Sequence, residues 1–401
     1  MNVGPMVSNG STAPDLGAPR KKILVLVRSL SAGGAERQAI LNAQRLSQKG
    51  FSVDLACFYG SDTGYQNTFG SNVRLLVLSK NSRSIWQVFI ALSNLISDEG
   101  YSIVYSFTGT PNVLAALCKL RNRSLKVLWG KRATRLNLSD YSLKYSVEVW
   151  AEKLLKFAPD IIISNSQASA DQMIEGGFAA KKIEVVYNGI DTQTFIPNMG
   201  RRDSLRQSWF NDPEGLFIIG CVARLDPMKD HKSLVHAFQR AHEICKNLRL
   251  VIVGGDRRGL KRDLQELTYQ LNVDAHIVWI EHFDAIEKVY PSFDLVTLSS
   301  SYGEGFPNVL AEAMACGVPC VSTDVGDAST ILGEYGLTVP PNESGQLAEA
   351  WLQLKDADRA TPQELWNHID SLFSSSVLSE RMFNLCQKML GSSIERNRWG
   401  D

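Results

Sequence analysis

The chain has 401 residues, 44% of them apolar, which exceeds one ordinary core and suits two domains. No stretch approaches the roughly 20 uninterrupted apolar residues that span a bilayer. Seven scattered cysteines, with no Cys-x-x-Cys and no paired His, argue against a disulfide framework or a zinc site, and the formal charge is zero.

Residues 1–20 are rich in Gly, Ser, Pro and Asn and are expected to form a flexible leader. They lack the charged start and apolar centre of a secretion signal, so a cytoplasmic body is expected. Beyond them, short β-branched runs alternate with amphipathic stretches, the pattern of parallel sheets covered by helices. In residues 21–190 the predicted strands are Lys22–Arg28, Val53–Phe58, Val73–Leu78, Ile103–Phe107, Lys126–Trp129, Ile161–Asn165 and Ile183–Val186. The first runs into Gly33 and Gly34, which let a backbone approach a ligand at a helix start. The Gly-x-Gly-x-x-Gly spacing of dinucleotide sites is missing there.

Charge is unevenly shared between the halves. Residues 20–190 hold 22 Lys and Arg against 12 Asp and Glu, whereas residues 191–401 hold 20 against 29. Ten of the cations lie between Lys119 and Lys156, among Leu, Tyr and Trp, a mixture that suits contact with an anionic membrane and equally suits an ordinary basic surface. Nothing in the pattern calls for nucleic acid. The turn Asn188-Gly189 and the breakers Pro197, Asn198 and Gly200 place a seam near residues 187–197. A second sheet is predicted from Phe217–Ala223, Arg249–Val253, Ile277–Ile280, Leu295–Leu298, Pro319–Ser322 and Leu337–Val339. Domain bounds of 21–190 and 191–375 follow, with 376–401 as a terminal segment. Two such sheets facing each other bring their ligands into one crevice.

In the second half, a strand ends with Arg224, turns at Pro227 and presents Lys229 before a helix predicted over Ser233–Ile244. Two cations there suit a diphosphate, and they also suit a plain charged surface. Gly254 and Gly255 form a weaker strand-to-turn signal. The longest motif runs from Leu295 to Ser322. Its loop holds Glu304, Pro307 is expected at the first helical position, and the amides of Asn308 and Val309 point out with the helix dipole. Glu304 and Glu312 could grip sugar and ribose hydroxyls, or lie on solvated faces.

With those segments in view, the chain resembles the retaining glycosyltransferases of family 4, which have the α/β GT-B fold of two facing Rossmann-like domains with a central cleft. The resemblance rests on Glu304-Gly-Phe-Pro-Asn-Val-Leu-Ala-Glu312, on Arg224 with Lys229, on Gly33-Gly34-Ala-Glu-Arg37, and on Ser164-Asn-Ser166 with Asn188-Gly-Ile-Asp191. It implies an acceptor-binding first domain, a nucleotide-sugar-binding second domain, and a last helix crossing back to the first. Arg224 and Lys229 would bind the donor diphosphate, Glu304 the transferred sugar and Glu312 the ribose. Gly305, Phe306, Pro307, Asn308 and Val309 would cradle sugar and phosphate, with Gly33 or Gly34 opposite and Gly254 and Gly255 alongside. Ile280, His282 and Phe283 would line the base pocket. Many members carry a catalytic-centre His in the first domain; residues 1–230 contain no His, and Arg132 is expected in its place.

The implied activity is retaining transfer from a nucleotide sugar, UDP first and GDP second, to a glycan or lipid-linked acceptor in cell-surface polysaccharide synthesis, with no cofactor and no metal. A nucleotide-sugar 2-epimerase would need acidic and His groups in the cleft, which the His-free first half disfavours. A non-catalytic binding module would be expected to lack Glu304 or Lys229. A dinucleotide-dependent oxidoreductase lacks its fingerprint.

Overall fold

The computed structural model describes residues 21–30, 34–59, 72–79, 84–131, 143–198, 200, 202–256, 258–358 and 360–391. The proposed leader lies outside them. Each predicted strand segment is realised, with ends moved by at most two residues, as β1 (Lys22–Val27), β2 (Ser52–Tyr59), β3 (Val73–Ser79), β4 (Ile103–Phe107), β5 (Lys126–Lys131), β6 (Ile161–Ser164), β7 (Ile183–Val185), β8 (Phe217–Val222), β9 (Leu248–Val253), β10 (Ile277–Ile280), β11 (Leu295–Leu298), β12 (Cys320–Thr323) and β13 (Leu337–Val339). They form two sheets, ordered β3-β2-β1-β4-β5-β6-β7 and β10-β9-β8-β11-β12-β13. Every pairing is parallel. The order reverses between β1 and β4 and again between β8 and β11, and crevices for ligands open beyond such points.

Strands buried on both faces read as continuous apolar runs, and β1 shows why. Ile23, Val25 and Val27 enter one core, while Leu24 and Leu26 enter another on the opposite face. The helices that cover the first sheet are α1 (Gly34–Gln48), α2 (Ile85–Glu99), α3 (Thr110–Arg121), α4 (Leu143–Leu154) and α5 (Gln167–Glu175). α1 lies on the face of Ile23, and α2 and α3 on the face of Leu24. The second domain adds α6 (Arg202–Trp209), α7 (His231–Ile244), α8 (Lys261–Gln270), α9 (Asn308–Ala315), α10 (Ala328–Leu332), α11 (Ser344–Asp356) and α12 (Pro362–Phe373) around one core containing Phe238, Phe293, Met314 and Trp351. Buried Trp351 gives its indole N–H to Thr297 Oγ1 at 3.0 Å, so its polar edge is satisfied inside that core.

Two helix starts differ from expectation. α7 begins at His231, two residues early, because Asp230 adopts φ 45° and its side chain accepts from the Ser233 amide at 3.1 Å. α9 begins at Asn308, so Pro307 occupies the N-cap position and not the first helical one. No side chain caps α9.

The last helix, α13 (Ser375–Met389), returns to the first domain, where Leu378, Met382, Leu385 and Cys386 join the core beside α1. The two crossings between domains are tied to each other. Ile190 donates to Phe373 O at 2.8 Å and accepts from Ser375 N at 2.7 Å, while the Gln38 side chain of α1 donates to Gly189 O and accepts from its N–H. All seven cysteines are free thiols, and six are buried.

Candidate active site between the two sheets

β11 is fully buried and delivers Ser299 and Ser300, also buried, to the carboxyl edge of the second sheet. Three contacts hold the following loop to the turn after β8. Ser299 Oγ donates to Lys229 O at 2.7 Å, Ser301 N donates to Met228 O at 2.8 Å, and Lys229 forms an ion pair with Glu304. Ser300 Oγ donates to the same Glu304 oxygen. Glu304 is only 7% exposed, and the Lys229 charge and the Ser300 hydroxyl help to make the burial of its carboxylate tolerable. Asp226 shapes the turn by accepting from the Met228 amide at 3.2 Å.

Arg224 leaves the end of β8, the strand beside β11, and is exposed. Gly254 packs on the Ala223 carbonyl just before it, Gly254 N donates to Ile280 O at 2.8 Å, and Gly255 O accepts from Leu225 N at 3.1 Å. Gly254, Gly255 and Ile280 thus flank the Arg224 backbone. His282 is exposed and faces Asp284 at 2.9 Å; with Phe283 it lines a cavity of about 600 Å³ shared with Ser204 and Leu205 of α6.

Glu312 sits in the second turn of α9, 4% exposed. Tyr290 donates to its Oε2 at 2.8 Å, and Arg37 of α1 reaches Oε1 from the other domain at 3.2 Å. Burial and the adjacent Glu312 carboxylate raise the Tyr290 hydroxyl well above its ordinary range, so it stays protonated and donating. Asn188 Nδ2 donates to Asn308 Oδ1 at 2.8 Å, and a methyl group on Gly34 would stand 3.5 Å from the Asn308 side chain. The start of α9, with Phe306 and Pro307 buried behind it and Val309 half-buried within it, therefore faces the first domain at Gly34. Gly33 and Arg132 lie outside the described residues.

The structure brings Lys229 and Glu304 together and sets Glu312 in a second polar cluster one helix turn deeper. Residues absent from the predicted set also meet here: Arg37, Tyr290, Ser300, Asn188 and Asp327. Arg37 was visible as the end of the Gly33–Arg37 motif, but nothing local pairs it with Glu312. His231, adjoining Lys229, is 3% exposed, and burial, with Lys229 nearby, pushes its imidazole down to about 4, so it is neutral at physiological pH.

In the first sheet, Thr108 and Gly109 both adopt φ 53° at the end of β4, and Glu148 of α4 accepts from Thr110 at 2.6 Å and pairs with Arg28 at 3.2 Å. Positive φ at a non-glycine residue stores strain of the kind found at functional sites.

Comparison with known proteins gives two family models, "Glycosyltransferase Family 4" over residues 32–194 and "Glycosyl transferases group 1" over residues 217–356. The N-acetylgalactosamine-N,N'-diacetylbacillosaminyl-diphospho-undecaprenol 4-alpha-N-acetylgalactosaminyltransferase of Campylobacter jejuni is 25% identical over 84% of this chain and 91% of its own. The D-inositol 3-phosphate glycosyltransferase of Rhodococcus opacus is 32% identical, over 48% of this chain and 44% of its own. Among solved structures, Anabaena HepE in complex with UDP has a TM-score of 0.78 at 22% identity, covering 92% of this chain and all of its own. WaaG, a glycosyltransferase involved in lipopolysaccharide biosynthesis, has a TM-score of 0.70 at 15% identity, covering 90% of this chain and 99% of its own. With both halves of the chain matched in order and the GT-B fold shared, this protein belongs to the group 1 glycosyltransferases of family 4.

Proposed function

We propose that this glycosyltransferase takes its sugar from a UDP-sugar and moves it, with retention of anomeric configuration, to a glycan or lipid-linked acceptor in cell-surface polysaccharide synthesis. The observation that carries the reading is the meeting of Lys229, Ser300 and Glu304 at one oxygen, beside exposed Arg224 and the uncapped start of α9. In this reading Lys229 and Arg224 offset the diphosphate charge that grows as the bond from sugar C1 to phosphate oxygen breaks. Glu304 accepts from the sugar hydroxyls and Glu312 from the ribose, the latter exchanging its contact with Arg37 for the ribose diol. The acceptor oxygen bonds to C1 on the face that the phosphate leaves, its proton passes to the departing phosphate oxygen, and UDP is released. Those cations take the electrostatic role a divalent ion fills elsewhere, so the reaction is proposed to need neither metal nor cofactor.

The donor assignment is supported by the UDP bound to HepE, and the acceptor assignment by the undecaprenol diphosphate in the name of the Campylobacter enzyme. Among the described residues no helix is long and apolar enough to cross a membrane. A peripheral membrane contact is proposed through α4 and the turn after it. Val147, Trp150, Leu154 and Phe157 recur at helical spacing and are each 59–64% exposed. Lys153 and Lys156 flank that stripe. Other cations of the basic segment are engaged within the domain, Lys119 and Lys126 with Asp160 and Lys131 with buried Glu152.

Thermal unfolding with a panel of UDP-, GDP- and ADP-sugars tests the donor. A UDP-sugar at 100 times its Kd should add about 2.7 kcal/mol, and Lys229→Ala should lose most of that protection. Protection by GDP- or ADP-sugars alone would overturn the base assignment, and undiminished protection of Lys229→Ala the role of the lysine.

A further inference from the structure

We propose that Asp327 is a positioning residue for glycosyl transfer, fastening closure of the two domains to the placement of the Glu304 loop. The inference rests on the reading above, in which Glu304 holds the donor sugar. Asp327 follows β12 in the second domain and is 4% exposed. Its carboxylate crosses to the first domain, where Oδ2 accepts from the Gln167 amide at 2.6 Å and Oδ1 from the Ala168 amide at 3.0 Å. Those amides open α5, and Ser166 Oγ accepts the next one, from Ser169, at 3.1 Å. A side chain from one domain thereby supplies acceptors to free N–H groups of a helix in the other, at its positive end.

The backbone of the same residue supports the loop that carries Glu304. Asp327 N donates to Gly305 O at 2.9 Å. Gly326 has φ +66°, and a Cβ there would stand 2.7 Å from Glu304 O, so the approach admits only glycine. On the other side of that loop, a Cβ on Gly305 would meet Asn165 Oδ1 at 2.6 Å. Segments 165–168, 304–305 and 326–327 thus form a three-way junction in which Asp327 bonds to both of the others. If its carboxylate releases α5, the junction opens and the Glu304 loop loses its wall.

Burial raises the Asp327 carboxyl above its ordinary value even with two amide donors on it, and Asp171 of α5 adds to the rise; the Asp327 charge in turn adds to the burial-driven rise of the Tyr187 hydroxyl. Asp327 lies outside the hydrophobic cores that hold each domain, so loss of its carboxylate is expected to act on the junction before the domains themselves.

Two substitutions test the clasp from opposite sides. Asp327→Asn replaces one acceptor by a donor facing an N–H. Gln167→Pro removes that N–H at the first helical position, where proline is tolerated, after a residue already extended at φ −155° and ψ 152°. Each full-length variant should bind UDP within about twofold of wild type by calorimetry, show a larger radius of gyration by small-angle scattering, and release UDP from the best-protecting UDP-sugar about tenfold more slowly. The double variant should be no worse than either single one. Wild-type scattering or wild-type turnover in both variants, or losses that multiply in the double, would overturn the assignment. Failure of wild type to bind UDP, or unchanged turnover in Glu304→Gln, would instead overturn the reading on which it rests.

Discussion

At the scale of single residues, the site is a set of buried carboxylates, each held by a partner that makes its charge tolerable. Glu304 has Lys229 and Ser300; Glu312 has Tyr290 and Arg37. A nucleotide sugar brings hydroxyls and a diphosphate that match these groups. His231 shows the opposite solution, burial without charge. Its folded value of about 4 lies below the ordinary 6.5, so between those limits the unfolded chain holds a proton that the folded chain does not. Stability contributed by the neutral imidazole is therefore complete above pH 6.5 and lost as pH falls toward 4, on the order of 3 kcal/mol. Denaturant unfolding across that range should show a shallower pH slope in His231→Phe than in wild type, and identical slopes would exclude His231 as the source.

At the scale of elements, what could be read in advance was what is local. Strands buried on both faces, such as β1 and β11, announce themselves as apolar runs, and the less buried β3, β7 and β13 were located by the same short β-branched runs. The Glu304 and Glu312 pair was legible because loop, helix and both carboxylates lie within one short segment. Tyr290 and Asp327 were not singled out, and Arg37 only as the end of a motif, because each gains its partner only through folding: Arg37 meets Glu312 across the cleft, and Asp327 meets α5 across the junction. Pro307 was misplaced by one position: its φ of −71° suits a helix, but its ψ of 91° is extended, so the helix starts one residue later. Membrane contact belongs to this scale too. Sedimentation with anionic liposomes at low salt should retain wild type and release a Trp150→Ser, Phe157→Ser double variant, with high salt weakening the wild-type interaction; equal binding by both proteins would remove α4 as the contact.

At the scale of the molecule, two doubly wound sheets present their carboxyl edges to one groove, and the chain crosses it twice, at Ile190 and at Ser374–Ser375. Because α13 packs into the first domain's core, motion of one domain against the other strains both crossings together. Among the described residues Tyr187 packs its ring against Phe306 and Phe373, and polar contacts cross the groove from Arg37 to Glu312, from Asn188 to Asn308 and from Asp327 to α5. Such polar contacts can yield to a ligand, whereas a large apolar interface would not. The most direct test of the account is a crystal structure of the full-length protein with UDP. It should show the diphosphate at Lys229, Arg224 and the first amides of α9, with the ribose hydroxyls on Glu312 in place of Arg37. UDP bound away from these residues, or a diphosphate that leaves Lys229 on Glu304 without contacting it, would contradict the account.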